Sequence, residues 1–336
     1  MNTLCLNCRG CGRSEAVRDI RNIVDMHNPV VLFLSETKMS ANRSQDLRWR
    51  LGFPNAFGVN CDAGLGGGLV VMWKNEVNME LKTYSKYHID MRVTENTGDS
   101  RSWRFTGFYG DSKRSQRKES WRMLHFLRNE SDLPWLCAGD FNEILHDQEQ
   151  FGGNDREEWK MEGFREAVQY CGFTDLGYSG TPFTWDNRRE WDQNIKVRLD
   201  RALADERMLD LFGDSSVTHV QTTESDHCAI LITLKKSGVF QGHRRERPFR
   251  YENMWRRHPS YEDTVAAAWG GGCLSLSDVH ANLGGLQNAL RRWDKNQFGS
   301  MRNELKRLRR RLETLRKDSL RTGPTREERG TAQRIA

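Results

Sequence analysis

The feature that most constrains the fold is a run of apolar residues at positions 30–34, which read Val-Val-Leu-Phe-Leu. An uninterrupted run of this kind with β-branched members is typical of a strand buried on both faces. It follows a predicted strand at residues 3–8 and a segment with apolar residues at helical spacing. Ser14 is the predicted N-cap of that helix and Asn28-Pro29 its stop. Strand, helix and strand in this order predict an α/β unit.

Further short strands and helices are predicted as far as residue 234. The predicted strands lie at residues 69–73, 101–109, 135–138, 181–185, 217–220 and 229–234, and the predicted helices at 119–129 and 159–172. Many short strands separated by a few helices predict a β-sandwich faced by helices.

Residues 64–68, which read Gly-Leu-Gly-Gly-Gly, precede one of these strands and allow two interpretations. One is a loop that cradles a phosphate, and the other is a hairpin turn. No Gly-Lys-Ser/Thr follows and no helical pattern begins there, so we favour the hairpin turn.

Charge is distributed unevenly along the chain. Residues 241–336 carry 21 Lys and Arg against 11 Asp and Glu, a net charge of +10, whereas residues 1–240 carry 31 against 35, a net charge of −4. A slightly acidic body with a basic extension predicts a polyanionic partner for the extension. Composition predicts a folded domain at residues 1–236, a basic linker at 237–250, a helical extension at 251–321 and a disordered tail at 322–336.

The helical extension contains apolar residues in steps of four and three, which form a partly coiled-coil-like heptad stripe. The members of the stripe are Met301, Leu305, Leu308, Leu312 and Leu315. Arg and Lys fill the other faces. Residues 283–317 are therefore predicted to form a basic helix, which binds nucleic acid or acts as a nuclear-import signal. Alternatively, its apolar stripe packs against a missing domain or a second copy of the chain. The two interpretations are compatible.

Several other classes of protein are disfavoured. No run of about 18 apolar residues occurs, so we expect no membrane span. The first residues lack a basic segment followed by an apolar one, so we expect no secretory signal and free thiols in a reducing compartment. Cys5, Cys8 and Cys11 resemble part of an iron–sulfur ligand set, but a fourth cysteine followed by proline is missing.

Acidic and polar residues follow several of the predicted strands. They are Asn7, Glu36, Asp140 with Asn142, and Asp226 with His227. Hydrolysis of a phosphodiester requires a divalent cation, an activated water and donors around the phosphate. Mg²⁺ takes one or two carboxylates and keeps several waters, so few acids suffice. Each segment alone has an ordinary explanation, such as a solvated glutamate or an Asp-x-Asn turn; the combination favours a phosphodiesterase.

Five motifs, in order along the chain, resemble those of the endonuclease/exonuclease/phosphatase superfamily. They are Asn7-Cys8-Arg9-Gly10, Ser35-Glu36-Thr37-Lys38, Gly139-Asp140-Phe141-Asn142, Arg198-Leu199-Asp200-Arg201 and Ser225-Asp226-His227. That superfamily includes apurinic/apyrimidinic endonucleases, pancreatic deoxyribonuclease, inositol polyphosphate phosphatases and deadenylases. Leu6 stands where the superfamily usually has tryptophan, which is a change of packing and leaves the chemistry unaffected.

Finer motifs resemble the endonuclease domain of plant non-LTR retrotransposons of the LINE type. They lie at residues 36–38, 142–145, 151–153, 183–189 and 198–203. Residues 247–252 and 293–299 resemble the segment that precedes the reverse transcriptase in those proteins. No Tyr-x-Asp-Asp motif occurs, so we expect a nicking module without a polymerase active site, from a truncated reading frame or a host gene derived from one.

The resemblance implies a four-layer α/β/β/α sandwich, with two β-sheets packed face to face and helices outside, followed by a C-terminal α-helical extension. It implies a phosphodiesterase that uses Mg²⁺, or Mn²⁺ in its place, to nick DNA by attack of water on the phosphodiester. Action on chromosomal DNA implies a nuclear location. Two alternatives remain open: a catalytically silent relic that binds nucleic acid, and a phosphatase of the same superfamily that acts on small phosphoesters.

The resemblance also implies a role for each matched residue. Glu36 is expected to be the main metal ligand, with Asn7 and Asp226 supporting the metal side. Asp140 is expected to activate or orient the attacking water, and Asn142 to donate to the phosphate. For Asn7, the alternative is a turn cap.

His227 is expected to donate to charge that develops on the phosphate, with Asp200 orienting its ring. A carboxylate partner raises the pKa of a histidine and keeps the imidazolium populated. Tyr109 matches a tyrosine of the superfamily that contacts the phosphate. The alternatives are that Asp200 pairs with Arg198 or Arg201, and that Tyr109 belongs to the core.

Basic and aromatic side chains near these motifs are candidate DNA contacts. They are Arg9, Lys38, Arg188 and Arg189 for the phosphate backbone, and Trp185 for stacking on a base. A solvated charged face is the alternative for the cations, and a core position is the alternative for the tryptophan.

Overall fold

A computed structural model describes residues 1–62, 66–96, 101–154, 156–189, 193–235, 253–269 and 275–316. The chain divides into two compact units, Met1–Gln241 and Gly242–Ala336. Within the described ranges, no helix combines the length and the apolar character needed to traverse a lipid bilayer. The predicted linker and the predicted tail lie outside the described residues.

The first unit contains a mixed six-stranded sheet. Its strands, in spatial order, are β14 (Ser216–Val220), β15 (Ala229–Thr233), β1 (Asn2–Asn7), β2 (Val31–Ser35), β4 (Gly66–Trp73) and β3 (Asn55–Asp62). β1 and β2 run parallel and are connected through α1 (Ser14–His27). β2 lies inside the sheet and all of its residues are buried, in agreement with its apolar run.

A second mixed six-stranded sheet packs against the first. Its strands, in spatial order, are β10 (Thr174–Asp175), β13 (Asp200–Ala204), β8 (Trp135–Asp140), β7 (Ser102–Tyr109), β6 (His88–Glu95) and β5 (Val77–Ser85). Phe33 of the first sheet and Phe105 of the second form an edge-to-face pair with ring centroids 6.4 Å apart. One apolar cluster contains residues of both inner faces, so the main core lies between the sheets.

Helices cover the outer faces of both sheets. α1 and α2 (Ala41–Leu51) pack on the first sheet, and α3 (Arg117–Glu130) and α4 (Glu158–Cys171) pack on the second. A short helix, α5 (Glu206–Leu211), follows β13. The order of layers is helix, sheet, sheet, helix. The predicted α/β/β/α sandwich is confirmed.

Gly107 of β7 lies against the ring of Phe33 in the facing sheet. A Cβ added there would be 2.3 Å from Cδ2 of Phe33, so a larger residue must displace the ring. Because packed cores tolerate extra volume poorly, we expect Gly107→Ala to lower the free energy of unfolding by about 1–3 kcal/mol, measured by urea denaturation. Gly12→Ala is the control, since an added Cβ there has no atom within 4 Å. Equal losses at both positions would contradict a packing effect.

A small three-stranded sheet borders the first unit. Its strands, in spatial order, are β11 (Trp185–Asp186), β12 (Lys196–Val197) and β9 (Gln150–Phe151). The strand predicted at residues 181–185 is therefore wrong except for Trp185. The reason is that the preceding residues bond to different parts of the chain: the Thr181 carbonyl contacts the His219 ring, and the Thr184 carbonyl accepts from the Cys228 amide.

Two other local predictions need correction. Ser14 is the first residue of α1 and not its N-cap; Arg13 holds the N-cap position, and the Ser14 hydroxyl donates to Glu15. β4 begins at Gly66, so most of the glycine-rich segment belongs to the strand, where it pairs with the end of β3. β3 and β4 form an antiparallel hairpin, as favoured above, and residues 63–65 between them lie outside the described residues.

The second unit contains a 3₁₀ helix (Asn253–Arg257), α6 (Tyr261–Ala268) and α7 (Leu276–Arg316). Aromatic rings pack around Trp293, with Trp255 at 5.9 Å and His258 at 5.2 Å between centroids. Because α7 begins at Leu276 and extends to Arg316, the helix predicted from residue 283 onward belongs to a longer helix. Leu308 of the heptad stripe is buried, and the side chains of its other members lie outside the described residues.

Candidate active site

The carboxyl ends of three strands meet at one end of the sandwich. β1 ends at Asn7, β2 ends one residue before Glu36, and β8 ends at Asp140. Nδ2 of Asn7 donates to Oε1 of Glu36 at 3.0 Å and to Oδ2 of Asp140 at 2.9 Å. Asn7 and Glu36 are predicted to bind the metal, and Asp140 is predicted to activate the water. The structure thus brings these residues from distant parts of the chain into one cleft.

The two oxygens of the Glu36 carboxylate have different surroundings. The hydroxyl of Tyr109 donates to Oε1 at 2.9 Å, in addition to the Asn7 amide. Burial, followed by the charges of Glu36 and Asp140, raises the pKa of Tyr109 well above its usual range, so the hydroxyl keeps its proton. Oε2 accepts no hydrogen bond from a described residue, and Nζ of Lys38 lies 3.8 Å away. Oε2 is therefore available to a ligand.

Asp140 and Asn142 form a tight turn directly after β8. The Asn142 amide donates to Oδ1 of Asp140 at 2.8 Å, and its side-chain Nδ2 donates to the Gly110 carbonyl at 2.8 Å. Gly139 has a φ of +143°, and a Cβ added there would lie 2.1 Å from the Phe108 carbonyl oxygen. Only glycine fits this backbone position, which sets the start of the turn.

His227 lies between two buried carboxylates. Its Nδ1 is 2.8 Å from Oδ2 of Asp200, and its Nε2 is 4.0 Å from Oδ2 of Asp140. The register of β13 against β8 places Asp200 directly opposite Asp140, which sets both carboxylates near the ring. The alternative pairing of Asp200 with Arg198 or Arg201 does not occur among the described ion pairs.

The surrounding charges keep His227 protonated. Burial lowers its pKa, but the charges of Asp200 and Asp140 outweigh burial and raise the pKa to about 10. Both ring nitrogens therefore carry protons at neutral pH, and Nδ1 donates to Asp200. Burial and the charge of Asp200 raise the pKa of Asp140 to about 7, against the opposing charge of His227. A pKa near the working pH is what a general base requires.

Asp226 is held by two donors at the same oxygen. Nη1 of Arg9 and the indole nitrogen of Trp185 both donate to its Oδ2, the indole at 2.9 Å. Its Oδ1 is buried and has no partner among the described residues. A buried carboxylate oxygen without a partner is unfavourable, so Oδ1 is a second atom available to a cation.

The oxygen atoms of this cleft fit a hard divalent cation. Glu36 and Asp226 line the same cavity, and each has one carboxylate oxygen without a hydrogen-bond donor among the described residues. Mg²⁺ takes one or two carboxylates and completes its shell with water. Asp140, Asp200 and His227 also have ligand atoms within 4.8 Å of one another and could hold a metal ion. We favour the first pair for Mg²⁺, because the proton on Nδ1 of His227 already bonds to Asp200.

Positive φ angles concentrate around the cleft. Six described residues other than glycine have φ above zero, and five of them line the cavity or the adjoining pocket: Arg9 (47°), Glu36 (53°), Lys38 (54°), Asn142 (56°) and Arg188 (55°). The left-handed conformation costs an L-residue about 1–2 kcal/mol. Strain of this kind is typical of functional sites, where surrounding contacts fix the backbone.

The predicted DNA contacts differ in position. Those that line the cavity of about 670 Å³ are Arg9, Lys38 and Trp185. Arg188 lines the adjoining pocket, and its guanidinium also donates to the carbonyl of Ser225, so it holds the segment that precedes His227. Arg189 lines neither of these cavities, and the structure does not bring it together with the others.

Two hydroxyl side chains position the site and are not identified from sequence. Oγ1 of Thr184 accepts the backbone amide of Asp200 at 2.9 Å. Oγ of Ser225 donates to the Asn7 carbonyl at 2.7 Å and accepts the His227 amide at 3.1 Å. For Ser225, the sequence indicates a role in the site through its place in the Ser-Asp-His motif. For Thr184, the sequence indicates no such role beyond its position next to Trp185.

Comparisons with known proteins identify a family and a set of similar folds. The model of the Endonuclease/Exonuclease/phosphatase family matches residues 2–227. No curated protein sequence matches the chain. Solved structures with a similar fold include the endonuclease domain of TRAS1, a telomere-specific non-LTR retrotransposon. It shares 13% sequence identity with a TM-score of 0.51, and the match covers 69% of this chain and 97% of that one.

Two further structures are similar over the same part of the chain. The 3′-5′ exonuclease NExo from Neisseria meningitidis shares 15% identity with a TM-score of 0.54, over 70% of this chain and 100% of that one. An AP endonuclease from Archaeoglobus fulgidus shares 15% identity with a TM-score of 0.54, over 70% and 99%. Identities this low establish the fold alone. Since the family match spans most of the chain and includes both Asn7 and His227, the chain belongs to the Endonuclease/Exonuclease/phosphatase family.

Proposed function

We propose that this chain is a Mg²⁺-dependent phosphodiesterase that nicks DNA, with Mn²⁺ able to replace Mg²⁺. One observation carries the proposal. Asn7 bonds to both Glu36 and Asp140, and His227 faces Asp140 from the other side, so a metal ligand, a base and a protonated donor border one cleft. These are the three components that hydrolysis of a phosphodiester needs.

Each side chain has a defined task in this proposal. Glu36 and Asp226 would hold a divalent cation, which would supply Lewis acidity at a phosphate oxygen. Asp140, with its pKa raised to about 7 chiefly by burial, accepts a proton from the attacking water. His227 donates from Nε2 to charge that develops on the phosphate. Nδ2 of Asn142 donates to a further phosphate oxygen in exchange for its 3.2 Å bond to Oδ2 of Asp140.

Neighbouring residues keep these groups in place. Asp200 fixes the orientation of the His227 ring through Nδ1. Tyr109 and Asn7 both donate to Oε1 of Glu36, which leaves Oε2 for the ion. These groups are already in position before substrate binds, so the site needs little reorganisation during the reaction.

We propose DNA as the substrate because the cavity of about 670 Å³ is lined by cations and an aromatic ring as well as by the acids. The likeness in fold to the TRAS1 endonuclease domain and to AP endonucleases supports this choice. The motifs of plant LINE type support an origin in a non-LTR retrotransposon. A DNA substrate in turn supports a nuclear location.

For the rest of the chain we propose a folded domain at residues 1–236 and a helical extension at 251–321. The extension belongs to a segment with a net charge of +10, which supports a nucleic-acid contact through α7. Self-association through the heptad stripe is the accompanying proposal.

Conversion of supercoiled plasmid to the nicked circle tests the proposed function. We expect nicking by the purified chain with Mg²⁺ or Mn²⁺, and none with EDTA. Tyr109→Phe removes one donor to the Glu36 carboxylate and should lower the rate about tenfold, since a hydrogen bond to a charged group contributes about 1.5 kcal/mol or more. Agarose gels sampled over time give the rates.

Tyr84→Phe is the matched control, because Tyr84 is 57% exposed and lies outside the cavity. It should nick plasmid as fast as the wild type. Absence of nicking with either metal would contradict the proposal. Equal nicking by Tyr109→Phe and the wild type would show that the activity does not depend on this site.

A further inference from the structure

The indole of Trp185 contacts a side chain that is proposed to bind the metal. Its N–H donates to Oδ2 of Asp226 at 2.9 Å, and the side chain of Asp226 is 7% exposed. The other oxygen of this carboxylate, Oδ1, is buried and has no partner within the described part of the chain. A donor at Oδ2 restricts rotation of the carboxylate and so fixes the position of Oδ1. The indole therefore orients the oxygen that is available to a cation.

The backbone on either side of Trp185 places the indole beside this carboxylate. The Asp186 amide donates to the Asp226 carbonyl at 3.1 Å, and the Cys228 amide donates to the Thr184 carbonyl at 2.7 Å. Between these two bonds, Trp185 lies opposite the residue that follows Asp226, in an antiparallel bridge. Paired backbone thus sets the distance from the indole to the carboxylate.

Packing also restricts the indole ring. Trp185 is half-buried and packs against an apolar cluster formed by Ile144, Met161, Val197 and Leu199. It also lies directly opposite Val197 in the pairing of β11 with β12. A ring held in one rotamer loses little conformational entropy when its N–H bonds to a carboxylate. The indole is therefore a preorganised donor.

Arg9 is the other donor to Oδ2 of Asp226, and it differs from the indole in two respects. Its side chain is 60% exposed, so water competes for its bond and screens its charge. It is also positively charged, and that charge repels a cation at the same carboxylate. The indole donates its N–H without adding charge. Of the two donors, Trp185 is therefore better suited to hold the carboxylate when a metal ion binds.

We propose that Trp185 is a positioning residue for the metal site: its indole N–H holds Asp226 in the orientation that binds a divalent cation. This rests on the proposed function, in which Glu36 and Asp226 bind the ion. The role belongs to the N–H at the edge of the indole and requires no nucleic acid. It is therefore separate from stacking on a base, which the sequence predicts for the face of the same ring.

Binding of Mn²⁺ in the absence of DNA tests this role. Trp185→Phe keeps an aromatic ring and removes the N–H donor. It should weaken Mn²⁺ binding about tenfold, since groups that orient a metal ligand typically contribute about 10–100-fold to affinity. The electron paramagnetic resonance signal of free Mn²⁺ decreases on binding and gives the dissociation constant. In plasmid nicking, the metal concentration at half-maximal rate should rise by the same factor, while the rate at saturating metal should stay within about twofold of the wild type.

Trp49→Phe is the matched control, because Trp49 is 67% exposed and lines neither cavity. It should bind Mn²⁺ as tightly as the wild type. Circular dichroism of each variant reports whether the fold is intact. If Trp185→Phe is unfolded, the tryptophan is a structural brace and the positioning role is overturned.

Asp226→Asn separates the hydrogen bond from a general loosening of the site. This change should itself weaken Mn²⁺ binding, and adding Trp185→Phe should weaken it no further, because the indole acts through the carboxylate. Losses that add in the double variant, or wild-type affinity in Trp185→Phe, would overturn the positioning role and leave the proposed function standing. If the Mn²⁺ affinities are as expected but the wild type does not nick plasmid, the proposed function fails and the positioning role stands. A wild type that binds no Mn²⁺ would overturn both.

Discussion

Asp200→Asn is expected to lower the rate of phosphodiester cleavage by about 10²–10³-fold while the fold stays intact. The Asp200 carboxylate lies 2.8 Å from Nδ1 of His227, and its charge is the strongest influence that raises the pKa of that histidine against burial. Asparagine has almost the same shape but no charge. The pKa of His227 then falls, because the charge of Asp140 remains against burial without that of Asp200. The imidazole is neutral over more of the pH range, and in that form it cannot donate from both ring nitrogens.

The pH dependence of single-turnover cleavage of a DNA duplex tests this cause. In the wild type the imidazolium form of His227 persists up to about pH 10, and the rate falls as the pH drops through about 7 because Asp140 becomes protonated. In Asp200→Asn the donor should be lost at a lower pH than in the wild type. Asp132→Asn, at an 89% exposed side chain, is the control. A slow variant with the wild-type pH profile would contradict this explanation.

Arg201→Met is expected to lower the free energy of unfolding by about 3–5 kcal/mol. The guanidinium of Arg201 is fully buried and donates to Glu149 at 2.8 Å and to Asp175 at 2.9 Å. Methionine fills much of the volume but leaves two largely buried carboxylates with Arg198 as their one remaining cationic partner among the described residues. For a domain of this size the expected shift of Tm is roughly 6–20 °C, measured by thermal denaturation.

The pH dependence of stability provides a second check on this cluster. Although burial raises the pKa values of Glu149 and Asp175, the charges of Arg201 and Arg198 outweigh it and lower both. A folded pKa below the unfolded value contributes stability above the unfolded pKa, which is lost as the pH falls through the folded pKa. The difference between wild type and Arg201→Met should therefore shrink below about pH 4.

Arg207→Met is the matched control for this prediction. Arg207 pairs with Asp132 at the surface, where an ion pair contributes roughly 0–1 kcal/mol. If both variants lose the same stability, the burial of the Arg201 cluster does not explain its effect.

Strands in the interior of a sheet can be predicted best from this sequence. β2 and β8 have neighbours on both sides, so nearly all of their residues are apolar and buried. The edge strand β5 is less evident, although Val77, Met79 and Leu81 alternate with polar residues. α2 escapes prediction because its buried residues are few, so the helical period is weak.

The candidate site can be predicted in part because its central groups directly follow strands. Glu36 and Asp140 are examples. Each belongs to one of five motifs that occur in the same order as in the superfamily, which identifies both residues from the sequence. The residues that support them cannot be predicted in the same way. Thr184 accepts the amide of Asp200 from the residue directly before β11. Glu149 pairs with Arg201, 52 positions further along the chain. A single sequence contains no signal for such long-range pairs.

At several residues with left-handed backbone around the cleft, a substitution that increases stability is expected to decrease activity. At Arg9, Lys38 and Arg188, glycine would adopt the observed backbone at lower energy than the native residue. It would also remove the cations that face the cavity and the adjoining pocket. A laboratory selection for heat resistance alone would therefore favour replacements that reduce cleavage. A selection for a stable and active protein must measure cleavage at every round.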